Sequence, residues 1–230
     1  LKTIGAAIAK NNDLGGNKVI VISAGNYEEY NLVINNPVTI RGEEGVIINA
    51  NKKGRIFVVD ADADINNIIF SNAYAAANDD EYNRYGGAIY HKSGNLNIYD
   101  SKFNANIAAD CGGAIASQST GTLGIHNCTF MGNKINENSV GLKGSVIYSD
   151  SELIIDNSQF INNVMNDARG SIYVGSEATI TDNQFINNEA LYGGGIYVNG
   201  ENPVNVIIKG NNFTSNKATN GGAVYLYGIS

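Results

Sequence analysis

The sequence predicts an all-β fold, a parallel β-helix solenoid with a short N-terminal capping helix, and three observations predict it. Phe-x-x-Asn recurs at Phe103/Asn106, Phe130/Asn133, Phe160/Asn163, Phe185/Asn188 and Phe213/Asn216, with a degenerate copy at Phe70/Ala73. Its Phe advances by 33, 27, 30, 25 and 28 residues. A Gly-Gly-Ala-Ile-Tyr run recurs in phase with it, starting at Gly86, Gly112, Gly144, Arg169, Gly193 and Gly221, and its Ile or Val advances by 26, 32, 25, 24 and 28. Two motifs moving together at such a period mark a repeat architecture. Beyond residue 10 the apolar runs are three to five residues long, separated by turn residues and free of helical periodicity. A sandwich or barrel would not demand the same residue types in phase, whereas stacked coils about 4.8 Å apart do.

At the N-terminus, Leu1, Ile4 and Ile8 share one helical face, with Ala6, Ala7 and Ala9 as good helix formers. A helix over residues 1–10 is expected to lie across the first coil and cover its unpaired edges. Residues 18–59 read as first, irregular coils. They carry β-branched runs at Val19 to Ile22, Leu32 to Ile34, Val38 to Ile40, Val46 to Ile48 and Ile56 to Val59, interrupted at Gly25-Asn26, Asn35-Asn36-Pro37, Gly42 and Asn51. Residues 60–230 form the regular coils, in which Ile65, Ile98, Ile125, Ile155, Ile180 and Ile208 align as an interior column. One continuous domain over 1–230 is expected, because a solenoid has no single core to outgrow. Seven or eight coils would make a rod of roughly 35 to 40 Å. Both ends read as cuts in a longer protein.

Composition narrows the functional classes. With 36 Asn and 27 Gly among 43% hydrophobic residues, the chain has enough apolar side chains to fill a core and is not a disordered polar tract. A net charge of -7 without long acidic blocks disfavours nucleic acid and anionic membrane as partners. No apolar run is long enough for a membrane span. Two cysteines, Cys111 and Cys128, are too few for a disulfide framework and form no CxxC zinc pair. Their coils do not put them in register, so pairing between them stays open.

Each recurring residue has a physical task. Phe and Ile supply the interior. Asn106, Asn133, Asn163, Asn188 and Asn216 sit where the chain turns between sheets, suited to hydrogen-bonded ladders and to left-handed backbone. A second column, Asn67, Asp100, Asn127, Asn157 and Asp182, ending at Gly210, marks another corner. Strand alternation turns Ile89, Ile115, Ile147, Ile172, Ile196 and Val224 inward, and Tyr90, Tyr148, Tyr173, Tyr197 and Tyr225 outward, with Ala116 as the gap. An exposed tyrosine row could bind sugar rings or a protein, or merely stack on itself and shield the sheet.

Excess length must bulge out as loops, at Asn72 to Tyr85 and Lys134 to Lys143. The first carries Asp79, Asp80, Glu81 and Arg84 beside Tyr74, Tyr82 and Tyr85. Asp79, Asp80 and Glu81 are weak candidates for calcium; they could also serve as acid and base on a polysaccharide or be solvated surface charges. No other cofactor or metal is indicated. His91 and His126 read as solvated sheet residues.

Gly112 to Ile115 followed by Leu123 to Asn133, a GGAI run and an LxIxNCxFxxN run, resembles the repeats of chlamydial polymorphic outer-membrane proteins. It resembles equally the Asn-rich repeats of adhesin-like surface proteins of methanogenic archaea, of the pectin-lyase-like right-handed β-helix class. The likeness covers about residues 60–230, departs at Ala73, Ser145, Arg169 and Ser171, and with the general hand of parallel crossovers implies a right-handed helix. It implies a noncatalytic, extracellular cell-surface adhesin module whose partner is a surface protein or glycan. The same fold class also hosts lyases and hydrolases of acidic polysaccharides, but no Gly-His-Gly or Arg-x-Lys word occurs here.

Overall fold

The computed structural model describes residues 1–76, 84–136, 143–200 and 205–228. It is a parallel β-helix. Three long sheets of eight strands each run along the rod, every neighbouring pair parallel and one coil apart in sequence. We call them the Ile sheet (from Lys18–Ile22 to Val206–Lys209), the Phe sheet (from Gly25–Tyr27 to Asn212–Thr214) and the Tyr sheet (from Leu32–Ile34 to Val224–Tyr227). Two short sheets, one of Tyr74–Ala75, Ile107–Ala108 and Lys134–Ile135 and one of Glu189–Tyr192 and Lys217–Asn220, occupy the side between Phe and Tyr sheets.

The register confirms the repeat. Ile65, Ile98, Ile125, Ile155, Ile180 and Ile208 pair in sequence, as do Phe70, Phe103, Phe130, Phe160, Phe185 and Phe213. From Phe103 to Phe213 the rings stack with centroids 4.8 Å apart and planes within 9° of parallel, the coil spacing itself. Each completely buried Phe is held by its neighbours as well as by exclusion from water, so these columns dominate the core. The first coils, expected to be irregular, already follow this register: Lys18–Ile22 pairs with Val38–Gly42, which pairs with Ala63–Asn66. Gly25–Tyr27, read from sequence as an interruption, is a strand paired to Val46–Asn49. Neighbouring backbone, rather than side-chain propensity, makes it one.

The corners explain the polar columns. Asn67, Asp100, Asn127, Asn157, Asp182 and Gly210 all have φ between 50° and 70°, as the second column requires. At the next corner the expectation needs correcting. The left-handed residues are Asn72, Ala105, Gly132, Asn162, Asn187 and Ser215, each one position before the column that begins at Ala73 and continues through Asn106 to Asn216. That left-handed kink turns the following Asn inward.

Once inside, each Asn serves the coil before it. Asn133, Asn163, Asn188 and Asn216 accept at Oδ1 from the backbone N–H of the preceding Asn at 2.9 to 3.1 Å. Their Nδ2 donates to the carbonyls of Phe103, Phe130, Phe160 and Phe185 at 2.8 to 3.1 Å. Ala73 fits this scheme, since the amide an Asn there would serve, that of Asn51, three positions after the register partner of Phe70, already donates to Asn49 Oδ1 at 3.0 Å. A third left-handed corner precedes the Tyr sheet. There Gly193 is required because a Cβ would lie 2.1 Å from Ile196 O.

The helix spans Ile4–Asp13, three residues later than expected, because Thr3 is its N-cap and accepts from Ala6 N–H at 3.1 Å. Leu1 therefore precedes the helix and is exposed, while Ile4 and Ile8 close the core. Glu29 accepts from Ile4 and Gly5 N–H, both at 2.7 Å, and so ties the positive helix end to the first coil. The expected loops also begin later than read: Tyr74–Ala75 and Lys134–Ile135 pair with Ile107–Ala108.

Asn163→Ala should destabilise the chain by on the order of 3 kcal/mol, since it strands the buried Asn133 N–H and Phe130 carbonyl. Asn162→Gly at the adjacent left-handed corner should change stability by only a few tenths, and Asn162→Val should cost about 1–2 kcal/mol. Urea unfolding midpoints measure all three. Equal losses for Asn163→Ala and Asn162→Gly would contradict the ladder.

Candidate functional site

The tyrosine column lies on the far side of the Tyr sheet from the core, as alternation requires, but it is not an exposed row. Tyr90, Tyr148, Tyr173 and Tyr197 are 2 to 5% exposed; Tyr225 is half-buried. The expectation of a solvent-facing stripe is corrected by a second layer of chain. Tyr85, Cys111, Lys143, Arg169 and Tyr192 form a line of single parallel bridges beside the Tyr sheet, one per coil. Tyr85, Cys111 and Tyr192 pack directly on the column in a small second core. Alternation reports which side of a sheet a residue takes, and what covers that side depends on the chain folded over it.

Cations and stacking organise this layer. Lys143 Nζ lies 5.7 Å from the Tyr148 ring centroid and 5.3 Å from that of Tyr173, and Arg169 Cζ lies 5.8 Å from that of Tyr197. Arg55, itself buried, sits 5.2 Å from the Tyr90 centroid and donates to the carbonyls of Tyr85 and Gly86. Tyr90 donates to Gln118 Oε1 at 3.0 Å and Tyr148 to Asp150. Burial, reinforced by Asp150, pushes the Tyr148 hydroxyl well above its ordinary pKa. The middle of the column is thus internally satisfied.

Arg169, Tyr192, Tyr197, Tyr225 and Tyr227 line a surface cleft of about 200 Å³. Tyr197 stacks on Tyr225 at 5.6 Å and 18°, Tyr227 lies 6.4 Å from Tyr197 at 21°, and Tyr192 tilts against Tyr225 at 5.1 Å and 45°. Tyr227 is 45% exposed. Arg169, Tyr192 and Tyr227 are the residues the sequence reading missed as ligand candidates. Arg169 and Tyr192 share one signal, position, since each immediately precedes a corner glycine, and Tyr227 has none.

Of the loop candidates, only Tyr74, Arg84 and Tyr85 lie among the described residues, and each has its own surroundings. Asp79, Asp80, Glu81 and Tyr82 lie outside the described residues. Arg84 is held by the carboxylate of Asp110, with Nη2 to Oδ1 at 2.9 Å. Tyr85 belongs to the layer over the tyrosine column, and Tyr74 accepts at its hydroxyl from Asn136 Nδ2 at 3.2 Å. Among the described residues, no group of three His, Cys, Asp or Glu converges to hold a metal ion. No described helix is long and apolar enough to cross a membrane. Both cysteines are free, and burial pushes their thiols up to about 12.

The two histidines differ from the solvated residues expected. On the outer face of the Ile sheet, half-buried His126 stacks on Tyr99 at 4.9 Å and 18°, with Nδ1 2.7 Å from Asp156 Oδ2. Beside it the His126 ring and the Asn97 amide fill the space over Gly124, where a Cβ would lie 3.0 Å from His126 Nε2 and 2.6 Å from Asn97 Oδ1. His91 is completely buried inside the Tyr sheet. Its Nε2 lies 2.9 Å from the Gly94 carbonyl, an acceptor, so the neutral ring carries its proton there and Nδ1 accepts from Ser117 at 2.8 Å. Ser117 Oγ in turn lies 2.7 Å from Ser151 Oγ. Burial lowers the His91 pKa to about 4.

A family model described as right handed beta helix region matches residues 104–230. Comparisons with curated proteins and with solved structures returned no match.

The depressed pKa of His91 predicts a pH profile. The unfolded chain takes up this proton first as pH falls, so stability is full above about pH 6.5 and declines to about pH 4, by on the order of 3 kcal/mol. Unfolding titrations from pH 7 to 4 on the chain and on His91→Gln should show a slope in the first that flattens in the second. Identical slopes would assign the loss elsewhere.

Proposed function

We propose that this chain, which belongs to the right-handed β-helix family, is a noncatalytic adhesion module of an extracellular cell-surface protein, recognising a surface protein or glycan. One observation carries the reading: Arg169 and four tyrosines line one surface cleft on the outer side of the Tyr sheet. Tyr offers a partner an apolar face and a polar tip and loses little entropy on binding. The cleft residues come from paired strands and bridges, Tyr197 with Tyr225, Asn199 with Tyr227, and Arg169 with Tyr192. A site on such a frame is preorganised, so little of its binding energy is spent on ordering. The many coils suit it to holding that site at a distance from its attachment.

A second reading, cleavage of an acidic polysaccharide, draws on a different observation. His126, with Asp156 Oδ2 2.7 Å from its Nδ1, has the arrangement of an oriented general base. A cleft lined by Thr39, Asp64 and Asn97 lies on the same sheet face, next to His126 rather than around it.

Glycan and surface-protein arrays probed with the purified chain should give retained binding that Tyr192→Ala and Tyr227→Ala reduce at least about tenfold, a loss of about 1.4 kcal/mol. His126→Ala should leave it unchanged. Release of unsaturated or reducing ends from a uronic-acid polymer, abolished by His126→Ala, would instead establish the catalytic reading.

A further inference from the structure

We propose that the outer face of the Phe sheet joins this chain to a second copy of itself, the two rods lying face to face and running in opposite directions. The inference is independent of the recognition reading above, which concerns the Tyr sheet.

Charge is the first support. Strand alternation leaves at most two side chains per strand on the outside of the Phe sheet, and from Asn26 to Thr214 these include one charge, Lys102, and no carboxylate. The outer face of the Ile sheet, in contrast, carries Arg41, Asp64, Asp156 and Lys209, and the Tyr sheet is covered by its bridge line. In a chain of net charge -7, two copies repel each other least across a face without carboxylates.

Composition is the second. Met131, Ile161 and Ile186 are register neighbours in three successive coils, on the opposite side of their strands from the buried Phe column. Met131 is 45% exposed and the two Ile are half-buried. Beside them run Thr129, Gln159 and Gln184, whose hydroxyl and amides both donate and accept. An apolar stripe with a neutral polar flank can pair with its own copy without leaving a charge stranded. Every one of these strands is internal to the eight-stranded sheet, with a paired strand on each side.

Symmetry is the third, and it selects the register. A two-fold axis parallel to the strands, midway between Thr129–Met131 and Gln159–Ile161, sets Met131 against Ile161 of the second copy and Thr129 against its Gln159. It also brings Lys102 over Gln184 of the second copy, beside the corner residue Asp182. Lys102 and Asp182 are both exposed, and neither joins an ion pair among the described residues. The axis makes their contact twice. Moving it by half a coil in either direction would bring Lys102 to Asn157 or Gly210 instead, neither of which is charged. In the favoured register six strands of each copy face each other over roughly 30 Å by 17 Å, about 1,000 Å² in all, which suits a weak, reversible dimer.

Sedimentation velocity of the purified chain at low salt, from about 1 µM to about 500 µM, should show a shift from monomer to dimer. Ile161→Asp, placed at the axis, should abolish the shift, with circular dichroism confirming its fold. Lys102→Glu and Asp182→Lys should each weaken dimerisation roughly tenfold, because symmetry reverses the pair twice. Mixing those two variants should restore it, since both contacts of the mixed dimer are again of opposite sign. A chain that stays monomeric throughout the range overturns the proposal. So does a dimer unaffected by Ile161→Asp, which places the interface elsewhere, and failure of the mixture to recover overturns the opposed arrangement. Capture of a different protein by a monomeric chain, lost in Ile161→Asp, gives the face to that partner and overturns self-pairing.

Discussion

Every coil of this chain must turn inside a dry core without abandoning a backbone amide, and the rest of the structure depends on how that amide is satisfied. At the corner after the Phe strand, the N–H of Asn133 points along the rod and meets Asn163 Oδ1 at 2.9 Å, while Asn163 Nδ2 reaches back to Phe130 O. One side chain thus covers a donor and an acceptor that a strand ladder would otherwise have to serve. Because the bond runs between coils, it also fixes the distance and rotation from one coil to the next. The Phe rings stack at 4.8 Å because the backbone beside them is held at that step.

Left-handed residues make the ladder possible. Asn162 turns the chain outward at φ 52°, so Asn163 turns in; without the first, the second would face water. The corner before the Tyr sheet uses glycine for a different reason, since a Cβ at Gly193 would collide with Ile196 O. Asn-rich and Gly-rich composition therefore reflects two solutions to one problem, chosen by how close the next carbonyl comes.

The recognition reading follows from the same geometry taken one layer outward. A stripe of tyrosines on an open sheet would be a uniform adhesive face. Here Lys143, Arg169 and their bridge partners cover it, and the rings gain cation and stacking contacts in place of solvent.

Residue spacing by itself determined the parallel β-helix, the Ile and Phe columns, the inward Asn and one of the left-handed corners, because stacking forces equivalent residues into equivalent surroundings in every coil. It also determined that Tyr90 and Tyr197 leave the core side of their strands. What it could not determine was anything set by a neighbour that shares no period with the residue in question. Gly25–Tyr27 became a strand through Val46–Asn49, the helix began at Thr3 through its cap and Glu29, and His91 was buried by Ser117 and Gly94. The burial of the tyrosines and the cleft at Arg169 belong to the same group. They arise from side chains on the bridge line folding over the sheet, and contacts between two such layers exist only once the coils are closed and stacked.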